Sequence, residues 1–317
     1  MIRRRTLFSS ALLTSAAVGL SACGDDEGTA TTTTPAETTE PAPELSETVQ
    51  VSETVGEEPD VNFSSPLELD GPATEIITAG DGEAIEEGDT IALHTVYIDG
   101  STGDVLTSAW RDGFANYLTV DAEQNGQETV DFLTSATVGS RLLMVGQLQG
   151  EGGQAHTIIQ VSDVLGKALD RAEGEEQEPP EDLPAITPAE DGAPSLEGPP
   201  EGDPPTETQV HVTILGDGES TAPGDALAMH YTGWTWSDGE QFDSSWERGA
   251  PFDFVLGQGG VITGWDEGLE DLPVGSQVVL VIPPEDAYGE APEDNPLREE
   301  TLVFVADILY AAKHAQA

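Results

Sequence analysis

A dense aromatic run at residues 230–246 constrains this chain more than any other part of its sequence. Its two motifs, residues 230–234 and 242–246, hold one aromatic hydroxyl, Tyr231, and one carboxylate, Asp243, among the large rings of Trp234, Phe242 and Trp246. A single acid amid so many apolar rings predicts a mostly dry pocket with one polar anchor, which is the usual composition of a small-ligand site. The alternative is that these rings are ordinary core residues, which would need no ligand.

Three further motifs follow this run in order: Pro251-Phe252-Asp253-Phe254, then Val261 to Leu269, then Ala287-Tyr288-Gly289. Together with the aromatic run, they resemble the FKBP-type peptidyl-prolyl cis-trans isomerases over residues 207–312, about a third of the chain. The resemblance implies an enzyme that acts on proline-containing polypeptides, binds macrolide ligands in the same pocket, and needs neither cofactor nor metal.

The resemblance also implies a role for each residue of the candidate site. Tyr231, Asp243 and Tyr288 are the expected catalytic residues, with Tyr288 donating its hydroxyl to a substrate carbonyl and Tyr231 orienting Asp243. The expected substrate-binding residues are the pocket floor and its apolar walls: Trp265, Phe242, Phe252, Val261, Ile262 and Phe304. The family usually carries an aliphatic residue before a proline in the loop after Tyr288; here the sequence reads Asn295-Pro296-Leu297, and Leu297 is the expected substitute. We interpret His230, which lies on the opposite strand face, as structural.

The hydrophobic pattern of residues 207–317 predicts several strands and one helix. Leu227, Met229 and Tyr231 alternate with smaller or polar residues, and residues 278–282 form a short apolar run, both typical of strands. Trp265, Gly268, Leu269 and Leu272 recur at helical spacing, with Thr263 as the expected N-cap. The pattern therefore favours the α+β class, with an antiparallel sheet wrapped on one short helix.

An earlier segment of the chain is similar to this one, which indicates a duplication. Residues 80–83 read Gly-Asp-Gly-Glu, as do residues 216–219, and later motifs recur in the same order with similar gaps. In this alignment Thr95 stands for Tyr231 and Thr107 for Asp243, while Gln160 stands for Phe304. A loop near 150–153 replaces the stretch that carries Tyr288. We therefore predict two FKBP-like domains, the first a degenerate copy without the site; chance similarity between two β-rich segments is the alternative.

Composition divides the chain into five parts. We predict a signal peptide at 1–22, a disordered acidic Thr/Pro/Glu tether at 23–65, the degenerate domain at 66–170, a Glu/Pro/Gly linker at 171–206 and the isomerase domain at 207–317. The tether and the linker contain few large apolar residues, so we do not expect them to bury enough surface to offset their ordering entropy.

The N-terminus resembles a bacterial lipoprotein signal. Three arginines at 3–5 precede a short apolar stretch that ends in Leu20-Ser21-Ala22-Cys23, and Cys23 is the only cysteine in the chain. In that family the cysteine is lipidated and becomes the first mature residue, which implies a lipid-anchored protein on the extracytoplasmic face of the cell membrane. The alternative is an ordinary signal peptide beside a chance cysteine, and export through either the Sec or the twin-arginine route fits the basic start.

Charge excludes one class of partner. The chain carries 61 acidic and 10 basic residues, for a net charge of −51, whereas nucleic-acid binding needs clustered lysine and arginine.

The complete set of Tyr231, Asp243, Trp265 and Tyr288, with the lipoprotein-like N-terminus, makes the leading hypothesis an isomerase that assists the folding of exported proteins. The alternative is a surface lipoprotein that binds peptides or a partner without catalysis.

Overall fold

A computed structural model describes residues 45–69, 71–149, 155–178, 186–189 and 192–313. The predicted signal peptide, Cys23, the start of the tether and the loop at 150–153 lie outside the described residues. The N-terminal segment contains three short elements: α1 (Leu45–Thr48), β1 (Gln50–Val51) and β2 (Val61–Asn62).

The first half of the described chain forms an antiparallel sheet with three short helices. Its strands are β3 (Ala73–Thr78), β4 (Thr90–Asp99), β5 (Val105–Ser108), β6 (Asn116–Thr119), β7 (Arg141–Gln149) and β8 (Ala155–Ala168). The helices are α2 (Ala109–Asp112), α3 (Ala122–Asn125) and α4 (Gln127–Leu133). The strand order is β3-β7-β8-β4-β5, with β6 also paired to β4.

Three short strands precede the second sheet: β9 (Glu175–Glu176), β10 (Ile186–Pro188) and β11 (Pro194–Leu196). The second half then contains β12 (Gln209–Leu215), β13 (Ala226–Thr235), β14 (Gln241–Ser244), β15 (Phe252–Val255), α5 (Thr263–Gly268), β16 (Gln277–Ile282), a 3₁₀ turn (Pro284–Asp286) and β17 (Leu302–Ala312). The strand order is β14-β13-β17-β16-β12-β9, with β15 also paired to β13.

The two sheets follow the same path, β9 apart, and they share their irregularities. The β4–β8 ladder shifts register between Ala92 and Leu93, and the β13–β17 ladder shifts between Ala228 and Met229. The other two bulges also fall at matching places, in β3–β7 and β12–β16 and in β4–β5 and β13–β14. Because each bulge changes the local twist of its strand, the two sheets are bent in the same places.

Each sheet buries both of its faces. In β16 the even-numbered Val278, Leu280 and Ile282 pack toward α5, whereas Val279 and Val281 pack on the other face with Trp234 and Trp236. Successive side chains of a strand point to opposite faces, so a strand buried on both sides shows an apolar run rather than alternation. The strands predicted from the sequence are therefore present, but they are more completely buried than the pattern indicated.

The predicted tether is wrong from residue 45 onward. Leu45 and Val49 are buried against the outer face of the first sheet, together with the partly buried Val51, Val61 and Phe63. This outer face is apolar and requires a cover, and a few well-spaced apolar side chains supply it in a segment whose average composition is polar. We call residues 45–63 the N-terminal strap.

The predicted linker at 171–206 is likewise ordered in part. Ile186 and Leu196 of the β10–β11 hairpin pack against the outer face of the second sheet, and β9 pairs with β12. The hairpin performs for the second sheet the task that the N-terminal strap performs for the first.

The helices also differ from the prediction. One α-helix, α5, packs on the described part of the second sheet, but Thr263 is its first residue and Ile262 occupies the N-cap with no side-chain cap bond. The helix ends at Gly268, short of Leu272. The first sheet carries three helices rather than one; α4 packs on the core in the way α5 does, through Val130 and Leu133.

Candidate active site

A cluster of aromatic rings lies between α5 and the inner face of the second sheet. Trp265 of α5 is 2% exposed, and four rings surround it at centroid distances of 5.0 Å for Tyr231, 5.3 Å for Phe304, 5.8 Å for Phe254 and 6.0 Å for Phe252. The contacts are edge-to-face or tilted, which is the favourable geometry for aromatic pairs. Trp265 thus lies at the base of the cluster.

The strand pattern explains why these rings meet. Tyr231 projects from β13, Phe242 from β14, Phe252 from β15 and Phe304 from β17. Gly233 lies between two of them; a Cβ there would stand 2.7 Å from the ring atoms of both Phe242 and Phe304. The absence of that side chain lets Phe242 and Phe304 pack edge to face at 5.5 Å.

The remaining predicted wall residues lie around the same cluster. Val261 and Ile262, just before α5, are partly buried against it, as are Phe242 and Phe252. Leu297, the expected substitute in the altered loop, is 8% exposed and belongs to the buried core of the cluster. Asn295 supports this position because its Oδ1 accepts the Leu297 backbone N–H at 2.9 Å.

Two rings of the opening motif lie elsewhere, and that part of the prediction is wrong. Trp234 packs on the outer face of the sheet with Val279 and Val303. Trp246 stacks on His230 at a centroid distance of 4.0 Å. Neither belongs to the aromatic cluster: Trp234 follows Gly233 on β13 and faces the opposite side of the sheet, and Trp246 lies in the turn after β14.

The polar anchor of the site is a group of three residues. The Tyr231 hydroxyl donates to Asp243 Oδ2 at 2.6 Å, and the Arg248 guanidinium donates to both Asp243 Oδ1 and the Tyr231 hydroxyl, the latter at 3.0 Å. Burial, and then the hydrogen bond to Asp243, raise the pKa of Tyr231 above its usual value. The phenol therefore stays protonated, which fixes it as the donor to the carboxylate.

Sequence reasoning missed Arg248. It follows the aromatic run by two residues, and the turn after β14 returns its side chain to Asp243. The only signal was the separation of five residues between Asp243 and a base, in a chain with few bases. Asp243 and Arg248 also line a surface cleft of about 300 Å³ beside Phe242.

Tyr288 approaches the site from the loop after β16. Its ring is half-buried against the aromatic cluster, and a tight turn holds the loop, with the Gly289 N–H bonded to the Pro284 carbonyl at 2.6 Å. Burial, and then the nearby charge of Asp243, raise the pKa of Tyr288. Its hydroxyl is accordingly a proton-bearing donor at neutral pH.

Comparison with known proteins identifies the family of the domain that carries this site. Residues 218–309 match the family model described as FKBP-type peptidyl-prolyl cis-trans isomerase. The FK506-binding protein of Streptomyces anulatus is 41% identical over 112 residues, which are 35% of this chain and 90% of that protein. The chain belongs to the FKBP-type peptidyl-prolyl cis-trans isomerase family.

Two other proteins are similar to the same part of this chain. The probable FK506-binding protein of Corynebacterium glutamicum is 41% identical over 112 residues, covering 35% of this chain and 93% of its own. The crystal structure of AtFKBP13 is 30% identical, with a TM-score of 0.31, and covers 34% of this chain and 96% of that chain.

Within this FKBP-type isomerase domain, His230 does not contact the polar anchor's hydroxyl or carboxylate. Its Nδ1 lies 2.9 Å from Ser245 Oγ, and its ring stacks on Trp246. Burial first, and then the positive charge of Arg248, lower the pKa of His230 to about 4. A neutral, stacked imidazole fits the structural role predicted for it.

The first sheet lacks the site of the FKBP-type isomerase domain. In the position of Tyr231, Thr95 bonds Ser162 at 2.9 Å, and in the position of Phe304, Gln160 is buried and donates to Ser162. Leu106, which stands for Phe242, is 52% exposed. The matching positions thus hold hydroxyl and amide groups where the isomerase domain holds rings.

Proposed function

We propose that this FKBP-type isomerase assists the folding of exported proteins while a lipid on Cys23 holds it at the extracytoplasmic face of the cell membrane. The observation that carries the enzymatic part is the aromatic cluster on Trp265 with Tyr288 and the Tyr231–Asp243–Arg248 group at its rim. The anchor is supported by the position of Cys23 directly after Leu20-Ser21-Ala22. Among the described residues, no helix is long and apolar enough to cross a membrane.

The proposed mechanism lowers a rotation barrier without bond breaking. A peptide bond resists rotation by about 18–20 kcal/mol because the nitrogen lone pair is delocalised into the carbonyl. An apolar pocket removes water from the carbonyl and so disfavours the charge-separated planar form. Every ~1.4 kcal/mol removed from the barrier gives a tenfold rate.

We assign the residues as follows. The proline ring rests on the Trp265 indole between Phe242, Phe252, Val261, Ile262 and Phe304. Tyr288 donates its hydroxyl to a substrate carbonyl. Asp243, oriented by Tyr231 and Arg248, accepts a hydrogen bond near the twisting amide. The same walls would hold a pocket-filling macrolide, since the relatives are named for binding FK506.

We further infer that the first sheet is a degenerate copy of the isomerase domain that serves as a spacer, docking surface or client contact. The shared strand order and the matching bulges support a common origin. Without a Trp265 counterpart at Thr129 and with Thr107 in place of Asp243, the copy has neither floor nor anchor.

Exchange spectroscopy by NMR on a Leu-Pro peptide tests the activity, because it needs no coupling protease. The full chain should accelerate exchange over buffer, and Tyr288→Phe, which removes a single oxygen, should slow it. Equal rates with and without the protein would favour the non-catalytic binding hypothesis.

Fractionation tests the location. The parent should partition with membranes, and Cys23→Ala should remain unprocessed or move to the soluble fraction. A Cys23→Ala protein that is still cleaved and still membrane-bound would contradict lipidation.

A further inference from the structure

A cleft of about 220 Å³ lies between the two halves of the molecule. The first half contributes Thr90, Tyr117, Leu118, Thr119, Gln124 and Asn125, and the second contributes Ala250, Pro251 and Asp253. The halves are joined at its base, where the Tyr117 hydroxyl donates to the Ala226 carbonyl at 2.7 Å and its ring packs on Tyr310 at 6.1 Å. The cleft is therefore a fixed part of the two-sheet arrangement.

This cleft is adjacent to the isomerase pocket. Phe252 and Phe254 of β15 project into the aromatic cluster, so the residue between them, Asp253, projects the other way and lines the cleft. Packed layers of a sheet structure lie roughly 10 Å apart, and an extended chain advances about 3.3 Å per residue. A polypeptide whose proline rests on Trp265 can therefore reach the cleft over the edge of β15 within about two to four residues.

The chemistry of the cleft suits a cation. Asp253 is the only charged residue in its lining, and none of the ion pairs among the described residues involves it. Asp253 is exposed at the cleft. Desolvation by the neighbouring protein raises the pKa of its carboxyl, and a hydrogen bond from its own backbone N–H opposes that rise. An accessible carboxylate that takes part in none of these ion pairs gains from pairing with a cation, and hydroxyls and amides in the same lining can accept or donate further hydrogen bonds.

The overall charge favours the same occupant. A chain of net charge −51 attracts basic ligands and repels anionic ones before contact. A free small cation would have one carboxylate to bind, whereas a lysine or arginine side chain is held by its own polypeptide at the adjacent pocket.

We propose that this interdomain cleft binds a lysine or arginine side chain of the client polypeptide, two to four residues from the proline held over Trp265. The proposal rests on the proposed function and gives the first half of the molecule a part in substrate selection. It identifies the favoured substrates as prolyl segments with a nearby basic residue.

The test compares Leu-Pro peptides in two sets of three. In one set the varied residue is the third before proline and in the other the third after it, and within each set that residue is lysine, glutamine or glutamate. Exchange rates and dissociation constants are measured by NMR with the full chain. The parent should prefer lysine over glutamine by roughly two- to fivefold, the effect of one exposed, partly screened ion pair. Asp253→Asn should bring this ratio near one, and so should Gln124→Lys, which places an internal cation in the cleft from the other half of the molecule.

Glu267→Gln is the matched control, since it removes one exposed carboxylate on α5 that does not line the cleft. It should leave the lysine preference in place. No preference in the parent, a preference that survives Asp253→Asn, or an equal loss in Glu267→Gln would each overturn the proposal. If no peptide is turned over, the proposed function fails, and the ratio of dissociation constants still decides whether the cleft selects lysine.

Discussion

Replacing Arg141 should release the N-terminal strap from the first sheet. The guanidinium and Asp163 form a two-point ion pair at 2.7 and 2.8 Å, and neither side chain is exposed. Arg141 also donates to the carbonyls of Ser52 and Glu57, at 2.8 and 2.6 Å. Asp163 Oδ2 in turn accepts the Gly56 N–H at 2.7 Å, so a single buried pair holds three points of the strap.

The expected magnitude follows from what each substitution leaves behind. Arg141→Leu strands a buried carboxylate without its cation, which costs about 3–5 kcal/mol. The second sheet shows a milder solution at the matching place, where Gln277 Nε2 donates to Asp307 Oδ1 at 2.8 Å and Asp307 Oδ2 accepts the Ala172 N–H at 2.9 Å. Arg141→Gln should therefore cost less than Arg141→Leu.

A surface ion pair of the same length provides the control. Arg111 Nε lies 2.7 Å from Glu58, but the arginine side chain is 59% exposed. Its loss in Arg111→Leu should cost no more than about 1 kcal/mol, since solvent screens such pairs.

Urea unfolding and hydrogen exchange measure the result together. In Arg141→Leu the midpoint should fall, and protection of the Gly56 amide and of the Trp110 indole N–H, which donates to the Gly56 carbonyl, should be lost. If Arg141→Leu and Arg111→Leu unfold alike while Gly56 stays protected, the ion pair does not hold the strap and the reasoning is refuted.

Three further outcomes are expected from the site. Trp265→Ala should abolish turnover and lower the free energy of unfolding by about 3–5 kcal/mol, whereas a parent-like melt would show that the indole is not packed at the pocket base. Asp243→Ala should slow exchange about tenfold, or ~1.4 kcal/mol, with the fold retained, and unchanged turnover would make the acid purely structural. Burial lowers the pKa of His230 from 6.5 to about 4, so the folded protein disfavours the protonated ring. The free energy of unfolding should therefore be highest above pH 6.5 and should fall as the pH drops toward 4, by about 1–3 kcal/mol after solvent screening of this partly buried ring. His230→Gln should unfold with a shallower acid dependence than the parent, and an NMR titration with a midpoint near 6.5 would contradict the shift.

The strands and most of the pocket were predictable from the sequence, because both depend on local patterns. Alternation at Leu227 and Met229 marks β13, and the ordered motifs place Phe252 and Trp265 on neighbouring elements. The duplicated motifs likewise anticipated the shared strand order of the two sheets, down to residues such as Thr95 that occupy the position of Tyr231.

What the sequence did not reveal depends on contacts between distant residues. Arg141 holds Ser52 across 89 positions, and no local window shows that a polar segment will find such a partner. Arg248 was missed because its role depends on the direction of one turn. Thr263 has the right chemistry for an N-cap, but the backbone already enters the helix at that residue, so Ile262 precedes it.

The equivalent backbone contacts of Asp163 and Asp307 determine where this chain can be divided into fragments that fold. Each aspartate accepts a hydrogen bond from the backbone of the segment that precedes its own sheet. The structural unit is therefore a sheet together with the segment that covers it. The boundary between the two units falls near Leu169 rather than at residue 207. A fragment cut at 207 would lack the β10–β11 hairpin and present Val279, Val281 and Val303 to water. Contiguous apolar surface of that kind promotes self-association. A fragment that begins at 169 would keep its cover and is the unit to express for crystallisation or screening.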